Sequence, residues 1–430
     1  WLKDLQCSSC LRNMHFGTPP RDAFAPSCRM LLPLWLLVSG VQAVRVSDGS
    51  AQNPYPSEAF HEVADASNLP SFLQLLDDRL AAAPAPASLL ESPGAEVARI
   101  PLRLARMLEG ASTLKGAGSH GKIFAANARC PGACWSCSGG LRSIPVVLKM
   151  QKHDTSEGPW PAVREAGLMR SVFTKPSFPK FFDNECPPDA DEHWLMMEAA
   201  KGDLKQYKGA PLAMKMRLVA EAMFGVAEMH RIGYIHRDIK PGNIFIVDSK
   251  KDGREHAIIG DFGLTMKRSD MDDTRIVGSP GFLAPEILTE REYSAKQDIW
   301  AMALSIYELL FDDFPELLRE FPSAREFVAK VKRFEIADDH RIKSLGNWLR
   351  EQDLAPGTDV ERLATTMQNL FVDMMIRDPQ KRISSEGALK DAEDISRLLG
   401  NLENVEEDVL NRTPDEFCPG LWAQSSLASE

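Results

Sequence analysis

The stretch Tyr234–Ile244, YIHRDIKPGNI, decides the fold of this chain. It contains H-R-D-x-x-x-x-N in full, and so many fixed positions have a very small chance of meeting in an ordinary loop. Asp238 suits the acceptance of a hydroxyl proton, and Lys240 suits the stabilisation of a transferred phosphoryl charge. Asn243 carries an oxygen of the hard type that Mg²⁺ prefers. The stretch therefore predicts phosphoryl-transfer chemistry.

Two further segments follow on the carboxyl side. Ile258–Gly263 is an apolar run ending in D-F-G, and Asp261 within it is predicted to bind the Mg²⁺ that bridges the phosphates. Gly278–Glu286, GSPGFLAPE, matches the end of an activation segment, which builds a peptide-binding groove. Within it, Ser279 is predicted to bond the catalytic aspartate. Glu286 is predicted to pair with Arg382.

A glycine-rich loop lies upstream, in Lys115–Ile123. The pattern G-x-G-x-x-G-x-I is shared by several nucleotide-binding loops, so the residues after it decide between them. Lys122–Ala126 continues as a strand, whereas a Rossmann fingerprint opens a helix at that point. We therefore predict a hairpin folded over a triphosphate, in which glycine lets backbone N–H groups approach the phosphates. The predicted nucleotide-contacting residues here are Gly116, Gly118, Gly121 and Ile123.

The strand-like run Ile144–Met150 contains one lysine, Lys149. A lone lysine on a half-buried strand usually extends its ammonium to the surface, whereas a buried one needs an anionic partner. Glu165, on a plausible helix, is the predicted partner. Glu157 competes, but the Gly-Pro pair beside it disfavours a helix. The ion pair is predicted to hold the α- and β-phosphates of ATP.

These segments occur in the order and spacing of a eukaryotic-type Ser/Thr protein kinase, which the chain resembles over residues 111–400. The resemblance implies an α+β, bilobal protein-kinase fold. Its N-lobe is mainly an antiparallel β-sheet plus helix C, and its C-lobe is mainly α-helical. It also implies ATP and Mg²⁺ as cofactors and a protein as substrate. The complete activation segment disfavours a small-molecule kinase of similar fold.

The same resemblance places the hinge between the lobes at 193–200. It implies that Met197 is the gatekeeper, although simple core packing also explains a methionine there. The backbones of Glu198 and Ala200 are expected to bind adenine, and Asp203 is expected to reach the ribose.

Arg237, beside the catalytic aspartate, is typical of kinases whose activation segment is ordered by a phosphate. Thr274 and Ser269 are the candidate acceptors. Asp270, Asp272 and Asp273 offer constitutive negative charge in the same loop. Our hypothesis is a partial dependence of activity on Thr274.

The sequence of the N-terminal region predicts proteolytic cleavage. Arg29 precedes the apolar run Leu31–Val38, and Val41–Ala43 fits a small-x-small cleavage site, so residues 30–43 predict a secretory signal peptide within the upstream segment 1–43. A short buried helix, or a coding sequence begun too far upstream, is the competing interpretation. The apolar run is shorter than the roughly 20 residues of a transmembrane span, so none is predicted. Residues 44–94 are Pro/Ala-rich, as in a linker or pro-segment.

Residues 95–110 predict an N-terminal extension helix, Glu96–Leu108, in which Pro101 weakens the first turn. We expect its arginines to form a solvated face in preference to an anionic-lipid site. They are Arg99, Arg103 and Arg106. Residues 401–430 form an acidic C-terminal tail.

The signal, pro-segment and hinge together resemble the secreted rhoptry kinases of apicomplexan parasites, and Ser88–Glu91 resembles the processing motif of that family. The resemblance implies delivery to the rhoptry, parasitophorous vacuole or host cell, with host proteins as substrates. The alternatives are an intracellular, cytoplasmic Ser/Thr kinase and a non-catalytic pseudokinase scaffold. The intact catalytic residues argue against the scaffold.

Charge and cysteine content add two limits. The net charge of −11 argues against a general nucleic-acid binder, whose surface is basic. Cys130, Cys134 and Cys137 cluster in one insertion, where a disulfide in a secreted chain, a zinc site and three surface thiols all remain open.

Overall fold

The computed structural model describes residues 64–65, 100–118, 121–129, 143–152, 160–187, 192–249, 252–271, 275–289, 293–315, 318, 324–400 and 404–411. Several predictions fall outside these residues. They concern the signal peptide at 30–43, the pro-segment apart from 64–65, Ser88–Glu91, Arg99, the cysteines at 130, 134 and 137, Glu157, Asp272, Asp273, Thr274 and the tail beyond 411.

The chain forms short strands before and after its long helices. In order, the strands are β1 (Ala64–Asp65), β2 (Thr113–Gly118), β3 (Gly121–Arg129), β4 (Ser143–Lys152), β5 (Phe181–Glu185), β6 (Glu192–Glu198), β7 (Gly202–Asp203), β8 (Tyr234–Ile235), β9 (Ile244–Asp248), β10 (Glu255–Ile259), β11 (Met266–Lys267) and β12 (Arg275–Ile276). The α-helices are α1 (Leu102–Met107), α2 (Trp160–Ser171), α3 (Leu212–Arg231), α4 (Pro285–Thr289), α5 (Ala295–Phe311), α6 (Ala324–Val331), α7 (His340–Lys343), α8 (Leu345–Arg350), α9 (Val360–Met374), α10 (Ser385–Leu398) and α11 (Val405–Asn411).

The N-lobe is a five-stranded antiparallel sheet in the order β2-β3-β4-β6-β5. Along β3, buried residues alternate with more exposed ones because successive side chains of a strand point to opposite faces. Phe124 packs on Trp194 of β6 with ring centroids 5.5 Å apart. Leu104 and Met107 of α1 belong to the same core, so this helix covers one face of the sheet.

The C-lobe is built around two helices, α3 and α5, whose residues are mostly buried. Ser294 caps α5 by accepting a hydrogen bond from Lys296 N. A three-stranded sheet, β10-β9-β7, lies beside α3 and reaches the hinge. The predicted α+β, bilobal fold is thus confirmed.

Within the ranges described above, no helix has both the length and the apolar character needed to cross a membrane.

The extension helix differs from its prediction in extent and in contacts. It begins at Leu102 instead of Glu96, with Pro101 at its N-cap, where the missing N–H of proline is tolerated. Arg103 does not lie on a solvated face. It donates to Asp183 Oδ1 at 2.9 Å and to the Asn184 carbonyl, because α1 packs beside β5. The prediction of a solvated arginine was therefore wrong at this position.

Candidate active site

A buried lysine joins the N-lobe sheet to the D-F-G segment. Lys149 lies on β4 and Glu165 on α2, with only 5% and 1% of their surfaces exposed. Lys149 Nζ donates to Glu165 Oε1 at 3.0 Å and Oε2 at 2.9 Å, and to Asp261 Oδ1 at 2.7 Å. The predicted pair therefore forms with Glu165, and the same ammonium also bonds the predicted metal ligand Asp261.

The charges of this group perturb one another. Burial opposes the charged form of Lys149, but the carboxylates of Asp261 and Glu165 outweigh it and raise the pKa of the lysine above its ordinary value. Burial also raises the pKa of Glu165, and Asp261 adds to that effect while Lys149 opposes it. Lys149 consequently stays an ammonium at neutral pH.

The catalytic loop orients Asp238 through both of its carboxylate oxygens. Oδ1 accepts hydrogen bonds from Ser279 N at 2.9 Å and Ser279 Oγ at 2.8 Å. Oδ2 accepts from Asn243 Nδ2 at 2.9 Å and lies 3.0 Å from Lys240 Nζ. Lys240 Nζ also donates to Ser279 Oγ at 3.0 Å. The predicted contact between Ser279 and Asp238 thus forms, and the carboxylate is fixed in one orientation.

Asp298, at the start of α5, anchors the catalytic loop by accepting hydrogen bonds from its backbone amides. Its Oδ2 accepts from His236 N at 2.8 Å and its Oδ1 from Arg237 N at 3.0 Å. Burial opposes its ionisation, yet hydrogen bonds from His230 and His236 hold the pKa of Asp298 below its ordinary value. Sequence reasoning gave this residue no role. No local pattern indicates this role, because an aspartate in the first turn of a helix is ordinarily explained by the helix dipole.

The backbone of the D-F-G segment is strained at Asp261. Asp261 has a φ of 63°, in the left-handed region that side chains seldom adopt. Phe262 is fully buried against Phe173, with ring centroids 4.4 Å apart, and the Gly263 carbonyl accepts from Arg164 Nη2 at 2.7 Å. Strain of this kind costs about 1–3 kcal/mol and persists only where neighbouring contacts determine it.

The glycine-rich hairpin has the predicted form. Gly118 lies opposite Gly121 at its tip, and Gly116 lies opposite Ile123. Gly121 has a φ of 109°, and a Cβ added there would lie 1.8 Å from the Met150 carbonyl oxygen. Glycine is therefore required at this position for close backbone approach.

The hinge places its predicted residues at the end of β6. Met197 is nearly buried against Val147 and Phe181 of the neighbouring strands, so it does pack in the core. Glu198 N donates to Lys180 O at 2.9 Å, so this amide is bonded within the N-lobe. Ala200 follows the strand.

Asp203 lies just beyond the hinge, on β7. Its side chain accepts from Lys205 N at 3.0 Å and caps the 3₁₀ turn Leu204–Tyr207. This contact fixes the carboxylate beside the cleft.

The activation segment is anchored at both ends. Arg237 Nε donates to the Leu264 carbonyl at 2.7 Å, and its guanidinium lies 5.5 Å from the Tyr293 ring. Tyr293 OH accepts from Val277 N at 2.7 Å. Ser269 is exposed and donates to Asp270 Oδ1. Arg237 is thus positioned by a backbone oxygen and a ring.

The predicted pair of Glu286 and Arg382 also forms, in bidentate geometry, at 2.7 Å and 2.9 Å. Both side chains are buried, and the guanidinium lies over the Trp300 ring at 5.1 Å. The pair attaches the end of the activation segment to the lower C-lobe.

Comparison with known proteins agrees with this geometry. The family model for the protein kinase domain matches residues 134–392. Serine/threonine-protein kinase ULK3 of Homo sapiens is 29% identical over 202 residues, which are 46% of this chain and 38% of that protein. Eukaryotic translation initiation factor 2-alpha kinase pek-1 of Caenorhabditis elegans is 29% identical over 180 residues, 35% of this chain and 16% of that protein. The chain spans well under half the length of these relatives. Because the family model covers more than half of the residues, this chain belongs to the protein kinase family.

Proposed function

We propose that the protein is an ATP- and Mg²⁺-dependent Ser/Thr protein kinase that is secreted and acts on proteins outside the producing cell. The observation that carries the catalytic part is the orientation of Asp238 by Ser279 and Asn243, with Lys240 beside it. A lysine two positions after the aspartate is the Ser/Thr pattern.

The donor set fits a magnesium nucleotide. Asn243 Nδ2 is bonded to Asp238, so the amide oxygen of Asn243 is the atom left for a cation. Asp261 adds a carboxylate whose side chain keeps 14% of its surface exposed. Two hard oxygen ligands suffice for Mg²⁺, because nucleotide and water complete its coordination. When bound, Mg²⁺ neutralises charge on the phosphates.

The chain's own residues then divide the work. Lys149, held as an ammonium, binds phosphate oxygens, and Glu165 keeps it in place. Asp238 accepts the proton of the substrate hydroxyl, and Lys240 stabilises charge on the phosphoryl group.

Nucleotide recognition is assigned to the hairpin and the hinge. We propose that the three loop glycines and Ile123 cover the phosphates and that Met197 lines the back of the adenine pocket. The Glu198 carbonyl and the Ala200 backbone are the proposed adenine contacts, and Asp203 the proposed ribose contact.

The catalytic proposal is tested by phosphorylation of a basic protein substrate with Mg²⁺ and ATP. Asp238→Asn keeps the size of the side chain but removes the base, so we expect a rate loss of about 10²–10⁴-fold. Glu351→Gln, an exposed carboxylate of the C-lobe, is the matched control and should retain full activity. Equal signals from wild type and Asp238→Asn would favour the non-catalytic scaffold instead.

We further propose that activity depends only in part on Thr274. In support, Arg237 is already positioned by Leu264 and Tyr293. Thr274→Ala should lower activity without abolishing it, and full retention with a matched substrate would contradict the proposal.

Secretion, a rhoptry destination and host protein substrates are proposed on the sequence pattern at 30–43 and on the Pro/Ala-rich segment that follows. The decisive experiment is N-terminal sequencing of the native protein. Cleavage after Ala43, or near Glu91, is the expected result. An intact segment would favour the intracellular kinase.

A further inference from the structure

A buried ionic cluster attaches the C-terminal helix α11 to the kinase core, away from the catalytic cleft. Asp408 comes from α11, Glu221 from α3 and His256 from β10, with exposed fractions of 8%, 0% and 0%. One ligand-type atom from each residue lies within 4.8 Å of the other two. The cluster extends beyond the segment matched by the protein kinase domain model.

Two arginines and one more carboxylate complete the cluster. Arg217 Nη1 lies 2.5 Å from Glu221 Oε1 and 3.7 Å from Asp408 Oδ2. Arg254 bonds Asp408 Oδ1. Asp252 Oδ2 lies 2.9 Å from His256 Nε2, which makes that nitrogen the donor and leaves Nδ1 directed at Glu221.

The net charge of the cluster favours the binding of one proton. Three carboxylates face two guanidiniums, so the cluster carries one negative charge while His256 is neutral, and an unbalanced buried charge is costly. His256 Nδ1 lies 3.4 Å from Glu221 Oε1 and, among the residues that the structure describes, has no hydrogen-bond partner. A proton on Nδ1 both fills that contact and brings the cluster to neutrality.

A divalent cation fits the cluster less well than a proton. It would compete with Arg217 for Glu221 Oε1, because the guanidinium already lies against that oxygen. It would also convert one excess negative charge into one excess positive charge. One proton balances the buried charge, and a dication does not.

The titration behaviour agrees with this geometry. Burial opposes protonation of His256, but Glu221 and Asp252 outweigh it and raise the pKa of His256 above 6.5. Burial and the neighbouring Glu221 raise the pKa of Asp408 to about 6. Without Asp408, two carboxylates face two guanidiniums, so docking of α11 adds the negative charge that a proton then balances. The docked state therefore holds more protons than the undocked state, and docking weakens as the pH rises through these values. Glu221 and Asp252 have lowered pKa values, and their contribution is lost only as the pH falls below their ordinary range.

One member of the cluster, His256, lies on the hairpin that connects the two proposed magnesium ligands. Strand β9 begins at Ile244, directly after Asn243, and β10 ends at Ile259, two residues before Asp261. His256 is paired with Val247 across this hairpin. Helix α11 contacts this hairpin through Asp408, which bonds Arg254 and lies close to His256. Docking of α11 therefore restrains the segment that carries both ligands.

We infer that α11 is a proton-dependent latch, in which Asp408 docks against Glu221 and a protonated His256 and thereby positions the hairpin that carries Asn243 and Asp261. The catalytic half of this inference rests on the proposed kinase function. The docking half does not.

Hydrogen exchange of the full chain tests the docking half. Protection of the amides of 405–411, corrected for intrinsic rates, should fall as the pH rises from about 6 through the raised pKa of His256, by up to about tenfold per pH unit for release of one proton. Asp408→Asn removes the charge that the proton balances. In this variant the protection of the 405–411 amides should therefore not vary with pH. Glu407→Gln removes an exposed charge from the same helix and should follow the wild type.

Three results would overturn the latch. They are a flat wild-type profile, an Asp408→Asn profile that falls like the wild type, and protection that appears with Zn²⁺ and disappears with a chelator, which would indicate a metal site.

Kinetics at one pH tests the positioning half. Asp408→Ala should raise the KM for Mg²⁺ with the peptide KM unchanged, and the conservative Asp408→Asn should restore it. Unchanged kinetics in Asp408→Ala would refute positioning. Inactivity of every variant and of the wild type would refute the proposed function, while hydrogen exchange would still decide the docking.

Discussion

At the residue scale, the cleft is organised by one cation between two carboxylates. Lys149 bonds Glu165 and Asp261 at once, so helix α2 and the D-F-G segment are held to β4 by a single ammonium. In a buried site these charge-assisted bonds are stronger than in water. The position of each carboxylate therefore depends on the other, through the lysine.

Glu165→Gln tests this dependence. The amide keeps the shape of the side chain but removes its charge, so Lys149 should shift toward Asp261 and bind phosphate less well. We expect kcat/KM for ATP to fall about 10–100-fold, equivalent to about 1.4–2.7 kcal/mol. Glu109→Gln, an exposed N-lobe glutamate, is the matched control. An unchanged kcat/KM in Glu165→Gln would show that Asp261 alone fixes the lysine.

At the element scale, α1 is an integral part of the N-lobe. Leu104 and Met107 enter the core, while Arg103 reaches Asp183 on β5. Burial raises the pKa of the Asp183 carboxyl, and Arg103 opposes that effect. Removing the arginine leaves a carboxylate that is 10% exposed without its charged partner.

Arg103→Ala should therefore lower the free energy of unfolding by about 1–3 kcal/mol, which is the usual cost of leaving a buried polar group without its hydrogen-bond partner. The free energy of unfolding, measured with urea, checks this. Arg106→Ala, on the exposed side of the same helix, should change it by less than about 0.5 kcal/mol. A double-mutant cycle with Asp183→Ala isolates the pair, and a coupling energy near zero would rule the contact out as a stabilising one.

At the scale of the whole molecule, the buried pair of Glu286 and Arg382 joins segments that are far apart in sequence. Its two parallel hydrogen bonds and its contact with Trp300 attach the end of the activation segment to the segment before α10. Removal of one partner from a buried pair is far more costly than replacement of both.

Arg382→Met should lower the free energy of unfolding by about 3–5 kcal/mol, because Glu286 is then a buried charge without its partner. Adding Glu286→Leu should restore part of that loss. Thermal and urea unfolding of the single and double variants measure both effects. If the double variant is less stable than Arg382→Met alone, an uncompensated charge is not the cause.

The sequence by itself identified the candidate residues of the cleft. Motif spacing fixes which side chains follow each strand, so Asp238, Asn243 and Asp261 could be assigned from residues a few positions apart. The family pattern supplied Lys149 and its glutamate in the same way.

Only the tertiary structure decided the contacts that link distant elements. The anchoring of the catalytic loop by Asp298, the pairing of Arg103 with Asp183, and the cluster of Glu221, His256 and Asp408 have no periodic or local signature. The physical reason is that a buried charge must find its partner in three dimensions. Packing of helices and strands brings such partners together across gaps that sequence spacing does not encode.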